Sequence, residues 1–70
     1  MLNYNKLWKL LIDKNMTRTD LRSITGLSQA TMAKLTKGEN VNTDVLVRIC
    51  IALKCEISDI VEIVELKGEK

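Results

Sequence analysis

"TRTDLRSITGLSQATMAKLTKG", Thr17 to Gly38, carries two helix-start signals, Thr17 and Ser28, with a single glycine between them. Thr17 followed by Asp20 is a capping-box-like pair: the hydroxyl accepts from the amide three residues on, and the acidic side chain reaches back. The helix it opens runs from Arg18 to about Thr25, with Leu21 and Ile24 facing inward. Gly26 takes the left-handed turn that glycine enters at low cost. Ser28 caps the next helix, Gln29 to about Lys37, which Gly38 ends. Helices of eight or nine residues are marginal alone in water, because the cost of nucleation is spread over too few hydrogen bonds. Packing must hold them, and Leu21, Ile24, Leu27, Met32 and Leu35 form the apolar set that does so.

The turn "TGLS" has the length of the connection in a helix-turn-helix, so residues 17–37 read as that motif. Outward from it, Leu7, Leu10, Leu11 and Lys14 recur at helical spacing, predicting a first helix over about Asn5 to Lys14 with Asn15 as its stop. Asn42 is the next N-cap, with Val41 and Leu46 in hydrophobic-staple positions. The helix after it, Thr43 to about Lys54, buries Leu46, Ile49, Cys50 and Leu53. Ser58 and Asp59 start a short fifth helix through roughly Glu62. Beyond it "IVEIVEL" alternates imperfectly at a two-residue period, so a short strand competes there with more helix. The expected fold is all-α: five helices in one domain over residues 1–70, with a short C-terminal strand as the variant.

Composition agrees with helix-on-helix packing. Of 70 residues 46% are hydrophobic, there is no Phe, and Trp8 and Tyr4 are the only aromatics, so Leu, Ile, Val, Met and Ala must build the core. Apolar runs such as Leu10–Ile12 and Ile49–Leu53 fall far short of the roughly 20 residues of a membrane span, and no signal-peptide pattern opens the chain. A cytoplasmic protein without a membrane partner is expected. Cys50 and Cys55 lie in a chain with no His, so they read as reduced, packed thiols rather than metal ligands. No Gly-rich phosphate loop and no nucleophile beside a recognisable base are visible. Neither an enzyme nor a cofactor is therefore expected. Charge is uneven: residues 1–55 hold nine Lys/Arg against four Asp/Glu, and residues 56–70 two against five. A basic body followed by an acidic tail suits a polyanionic partner, although a modest excess also occurs in plain soluble domains.

On a wheel of about 100° per residue, Met32 and Leu35 mark the buried side of the third helix, with Ala30, Ala33, Lys34 and Lys37 opposite and Gln29 at the leading edge. That face is small, polar and basic, without an acid. A helix entering the DNA major groove needs small residues for close approach and a few long ones to read base edges, but a solvated face is also made of Lys and Ala.

Thr17, Leu21, Gly26, Ser28, Thr31, Met32, Leu35, Gly38 and the following "NVNTDVL" together resemble the phage repressor and Cro family, also called the Xre family of helix-turn-helix regulators. The resemblance covers roughly residues 6–61 and implies a lambda-repressor-like fold that binds double-stranded DNA. It departs at Arg22, where the family favours a small Ala. Either the two helices sit wider, or the Arg stem snorkels out. It departs again at Leu11 and Thr36, where many members pair an Arg with a Glu. Loss of both partners together strands no charge.

Carried over position by position, the resemblance implies base contacts from Gln29, Ala30 and Lys34. It implies backbone or flanking contacts from Thr17, Arg18, Thr19, Ser28, Thr31, Lys37, Asn40, Asn42 and Thr43. Thr17, Ser28 and Asn42 are caps with or without DNA. Val47 and Ile51 lie one turn apart on the face that also holds Asp44, Arg48 and Lys54. With Ile63, Val64 and Leu66 they form a candidate homodimer surface, and pairing of "MLNY" with the C-terminal strand is a second arrangement. The leading expectation is a small transcriptional regulator, a repressor acting as a dimer on a palindromic operator. An antitoxin, or an interaction module that no longer binds DNA, is the alternative.

Overall fold

The computed structural model describes residues 2–64. The elements run β1 (Leu2–Asn3), α1 (Asn5–Asp13), α2 (Arg18–Thr25), α3 (Gln29–Lys37), α4 (Thr43–Leu53), a 3-10 turn (Ile57–Asp59) and β2 (Glu62–Ile63). β1 and β2 pair antiparallel, Leu2 opposite Ile63 and Asn3 opposite Glu62.

The helices start where short polar side chains can take up orphan amides. Asn3 Oδ1 accepts from Asn5 N at 2.7 Å, ahead of α1. At α2 the box is complete, with Thr17 Oγ1 accepting from Asp20 N at 3.0 Å and Asp20 Oδ2 from Thr17 N at 2.9 Å. Ser28 Oγ accepts from Thr31 N at 3.1 Å. Asn42 takes the extended N-cap conformation of α4, but its side chain makes no capping bond.

The ends share one device. α1, α3 and α4 each close on a residue at positive φ, Asn15 (63°), Gly38 (76°) and Lys54 (55°). At each, an amide reaches back five residues: Met16 N to Leu11 O at 2.8 Å, Glu39 N to Lys34 O at 2.8 Å, and Cys55 N to Cys50 O at 3.0 Å. This is the Schellman closure. α2 ends more simply, with Gly26 N bonded to Arg22 O at 2.9 Å.

One apolar cluster joins the elements: Leu7 and Leu11 of α1, Leu21 of α2, Leu27 of the turn, Met32 and Leu35 of α3, Leu46, Ile49 and Leu53 of α4, and Ile60. Tyr4 completes it, although aliphatic residues alone were expected there. Its desolvated hydroxyl is satisfied by donating to Glu39 O at 2.9 Å, which moors the loop between α3 and α4 to the N-terminal segment.

Two expectations need correction. The fifth helix is a single 3-10 turn: Asp59 Oδ2 accepts from Glu56 N at 2.9 Å, and Ile60 then leaves helical geometry at φ −122°. Burial of Ile60 draws the chain inward, and the β-branched run beyond it favours the extended pairing with β1. The strand variant is therefore the one realised. Ile24 does not face inward but is 52% exposed. The second inward residue of α2 is half-buried Thr25, one turn after Leu21, whose hydroxyl donates to Leu21 O at 2.7 Å.

Candidate nucleic-acid interface

The caps of α2 and α3 fix where each helix begins, and the left-handed Gly26 fixes how the second leaves the first. Between them lies an open groove of about 560 Å³. Arg18, Thr19 and Arg22 of α2 form one wall, and Gln29, Ala30, Ala33 and Thr36 of α3 the other, with Met32 at the floor. Two of the three expected base-reading residues, Gln29 and Ala30, thus share a surface with Arg18 and Thr19. Lys34 is exposed one turn beyond Ala30 on the same helix, and Lys37 is exposed at its end. No Asp or Glu occurs from Gln29 to Lys37, so the field over this face is set by cations and by the helix N-terminus.

Arg18 is held in place. Its guanidinium carbon stands 3.8 Å from the centroid of the Trp8 ring, and one terminal nitrogen donates to Thr36 Oγ1 at 3.0 Å. Stacking on an indole restrains the planar guanidinium while leaving its other donors free. Trp8, Arg18 and Thr36 thereby connect α1, α2 and α3. Leu11, the other half of the departure from the family pattern, is buried in the core. Arg22 is exposed along the groove, as a stem that snorkels out would be.

Other expected contacts carry structural duties. Thr17 and Ser28 accept the capping amides, and Ser28 Oγ also donates to Thr31 Oγ1 at 3.0 Å. Thr31 is half-buried with its own hydroxyl proton free for another acceptor. Asn40, Asn42 and Thr43 are exposed in the loop that Tyr4 moors and at the start of α4. Asn42 is exposed and its side chain makes no capping bond.

Sequence reading placed Ala33 on the outer face of α3, but it missed Arg22 as a groove-lining residue and Trp8 and Thr36 as supports of Arg18. The i, i+4 spacing of Arg18 and Arg22 would have shown two cations on one face of α2. The Trp8–Arg18 stack left no local signal, because it joins residues of different helices.

Val47 and Ile51 of the candidate dimer surface are exposed on the outer edge of α4, and Ile63 on β2 is 81% exposed. Val64 is half-buried. Leu66 lies outside the described residues. Among the described residues no three His, Cys, Asp or Glu side chains gather closely enough to hold a metal ion, and no helix is long and apolar enough to cross a membrane.

A capped helix pair whose second helix carries a basic, acid-free outer face is the arrangement of a DNA-binding helix-turn-helix. The family model for Cro/C1-type helix-turn-helix DNA-binding domains matches residues 6–65, and the chain belongs to that family. Among solved structures it is similar to the crystal structure of the transcriptional regulator VanUg, Form II. The identity is 52%, the TM-score 0.86, and the match covers 87% of this chain and 81% of that one. A comparison with curated proteins finds no match. The protein is a DNA-binding transcriptional regulator of Cro/Xre type.

Proposed function

We propose that the chain is a repressor that binds a palindromic operator as a twofold dimer, and that it has no catalytic activity. The observation carrying this reading is the groove that sets Gln29 and Ala30 of α3 beside Arg18, Thr19 and Arg22 of α2. In the proposed complex the start of α3 enters the major groove. Gln29 reads adenine, Lys34 reads guanine, and Ala30 allows the backbone close approach. Thr17, Arg18, Thr19, Ser28, Thr31 and Lys37 hold phosphates on either side, and Asn40, Asn42 and Thr43 extend that track to α4. Lysine and arginine contacts supply affinity through counterion release, and the α2, α3 and α4 N-termini add oriented amides. A dimer lying across a promoter would exclude polymerase sterically, on cytoplasmic DNA.

The exposed apolar edge of α4 also favours the antitoxin reading, in which a toxin covers that edge instead of a second copy. Selection of bound sites from a random double-stranded library tests the main proposal. A palindromic consensus is the expected result. A single unpaired half-site would remove the dimer, and no enrichment at all would remove sequence-specific binding.

A further inference from the structure

The two cysteines occupy special positions in the closure of α4. In a Schellman motif the residue that supplies the outermost carbonyl and the one that supplies the returning amide bring their side chains together. In α1 these are Leu11 and Met16, both packed apolar side chains, and in α4 they are Cys50 and Cys55. Both thiols are free and half-buried, and they lie near enough for each to perturb the other's ionisation. They line an open groove of about 380 Å³ beside Val47, Ile51 and Ile57, so a small reagent can reach them.

We propose that Cys50 and Cys55 form a reversible oxidation site, a dithiol that closes to an intramolecular disulfide by exchange with a low-molecular-weight disulfide. The backbone already meets the geometric demand. Cys55 N and Cys50 O are 3.0 Å apart. With standard bond lengths that path bounds the Cα separation at about 7 Å, and its bends shorten it into the ~4.4–6.8 Å that disulfides span. One protein thiolate attacks the reagent, forming a mixed disulfide and expelling one thiolate. The second cysteine then attacks the protein sulfur of the mixed disulfide and expels the other. Two protein S–H bonds and one reagent S–S bond are exchanged for one protein S–S bond and two reagent thiols. The reagent is reduced by the two electrons the protein loses.

The bridge would tie α4 to the segment leading into the 3-10 turn, Ile60 and β2. It would thus fix the C-terminal arm beside the α4 edge without any new tertiary contact. Burial raises both thiols. Cys55 is pushed up to about 11, with Cys50 and Asp59 adding to the rise and Lys14 opposing it. Cys50 is raised by burial, Glu56 and Asp59, and lowered by the neighbouring Cys55 thiol. Because the thiolate is the nucleophile and both thiols are raised, closure is slow at neutral pH and accelerates roughly tenfold per pH unit in the alkaline direction.

The test needs neither DNA nor a partner, so its outcome is independent of the proposed function. The full chain is equilibrated in glutathione buffers of increasing oxidation at mildly alkaline pH, the remaining thiols are alkylated, and the intact mass is read. The expected product is a monomeric chain that has lost two hydrogens, carries no alkyl group, and melts roughly 5–10 °C higher than the dithiol. Cys50→Ser and Cys55→Ser should each end as a single glutathione adduct. Should either fail to fold, the wild-type mass still decides. Two glutathione adducts, a disulfide between chains, or a dithiol that persists until the chain is denatured would each overturn the proposal.

Discussion

Gly26 and Gly38 hold φ of 72° and 76°, and a Cβ built on either would meet no heavy atom within 4 Å. Their requirement is therefore conformational, not steric. Gly26→Ala should cost only about 1 kcal/mol, a fall of roughly 4–8 °C in Tm, with DNA binding retained at low temperature. Lys54 carries the converse burden at φ 55° without being glycine. Lys54→Gly should raise Tm by a similar amount. A thermal melt reads both, and a drop in Gly26→Ala several times larger would reveal a clash that the open space excludes. On the outer face of α3 the two lysines divide differently. Lys34→Ala should cost about 1–3 kcal/mol of discrimination between the selected site and random DNA. Lys37→Ala should weaken binding to both alike and lower the salt slope by about one. Titrations at several salt concentrations separate the two, and equal losses on specific and random DNA for Lys34→Ala would end its base-reading role.

At the scale of elements, α2 and α3 have 8 and 9 residues, too few for independent stability, and cross-bracing does what length cannot. Leu21, Leu27, Met32 and Leu35 brace them from within, and Trp8–Arg18–Thr36 does so from the groove side. If Arg18 holds a phosphate as proposed, the only tryptophan reports it, because its ring carries the guanidinium. Trp8 emission should therefore change on adding operator DNA in the native chain. In Arg18→Ala it should not, while affinity falls several-fold. An unchanged signal in the native chain, at saturating DNA, would take Arg18 off the phosphate. The limits of α2 and α3 were legible in sequence because a cap is a local event among Thr17, Asp20, Gly26, Ser28 and Gly38. Ile24 was not, because Leu21 and Ile24 differ by about 60° on the wheel and only the neighbouring helices decide which flank is covered. The same reason hid Tyr4, whose burial depends on the distant Glu39 carbonyl accepting its hydroxyl. The fifth helix failed on a conflict between a good local start at Ser58–Asp59 and the pull of Ile60 and β1 pairing beyond it. Gln29, Ala30 and Lys34 could be placed outward from spacing alone, whereas Arg22 could be assigned only after the packing of α2 on α3 was known.

For the whole molecule, the unassigned surface is apolar and lies off the basic face. Val47, Ile51 and Ile57 gather along the outer edge of α4 and the 3-10 turn, and Ile63 stands on β2. A single copy has no core use for them. The proposed dimer does, since a twofold contact on that side would leave both α3 helices free to enter successive major grooves about 34 Å apart. Ile51 is 72% exposed, so Ile51→Glu should leave the monomer fold intact, with Tm changed by no more than a surface substitution changes it. Buried against its twofold mate, however, the same carboxylate would be desolvated and unpaired. The expected outcome is a folded monomer by sedimentation equilibrium that binds a half-site as the native chain does. Its affinity for the full palindrome should fall by roughly 10²–10⁴-fold, because linkage of the two half-sites is lost. If Ile51→Glu remains dimeric with undiminished affinity, the α4 edge is not the interface. Ile63→Glu then becomes the deciding variant, placing the twofold contact at the β1–β2 pair. Should both remain dimeric, the proposed surface is wrong in both its parts, and the α4 edge is left for a different partner.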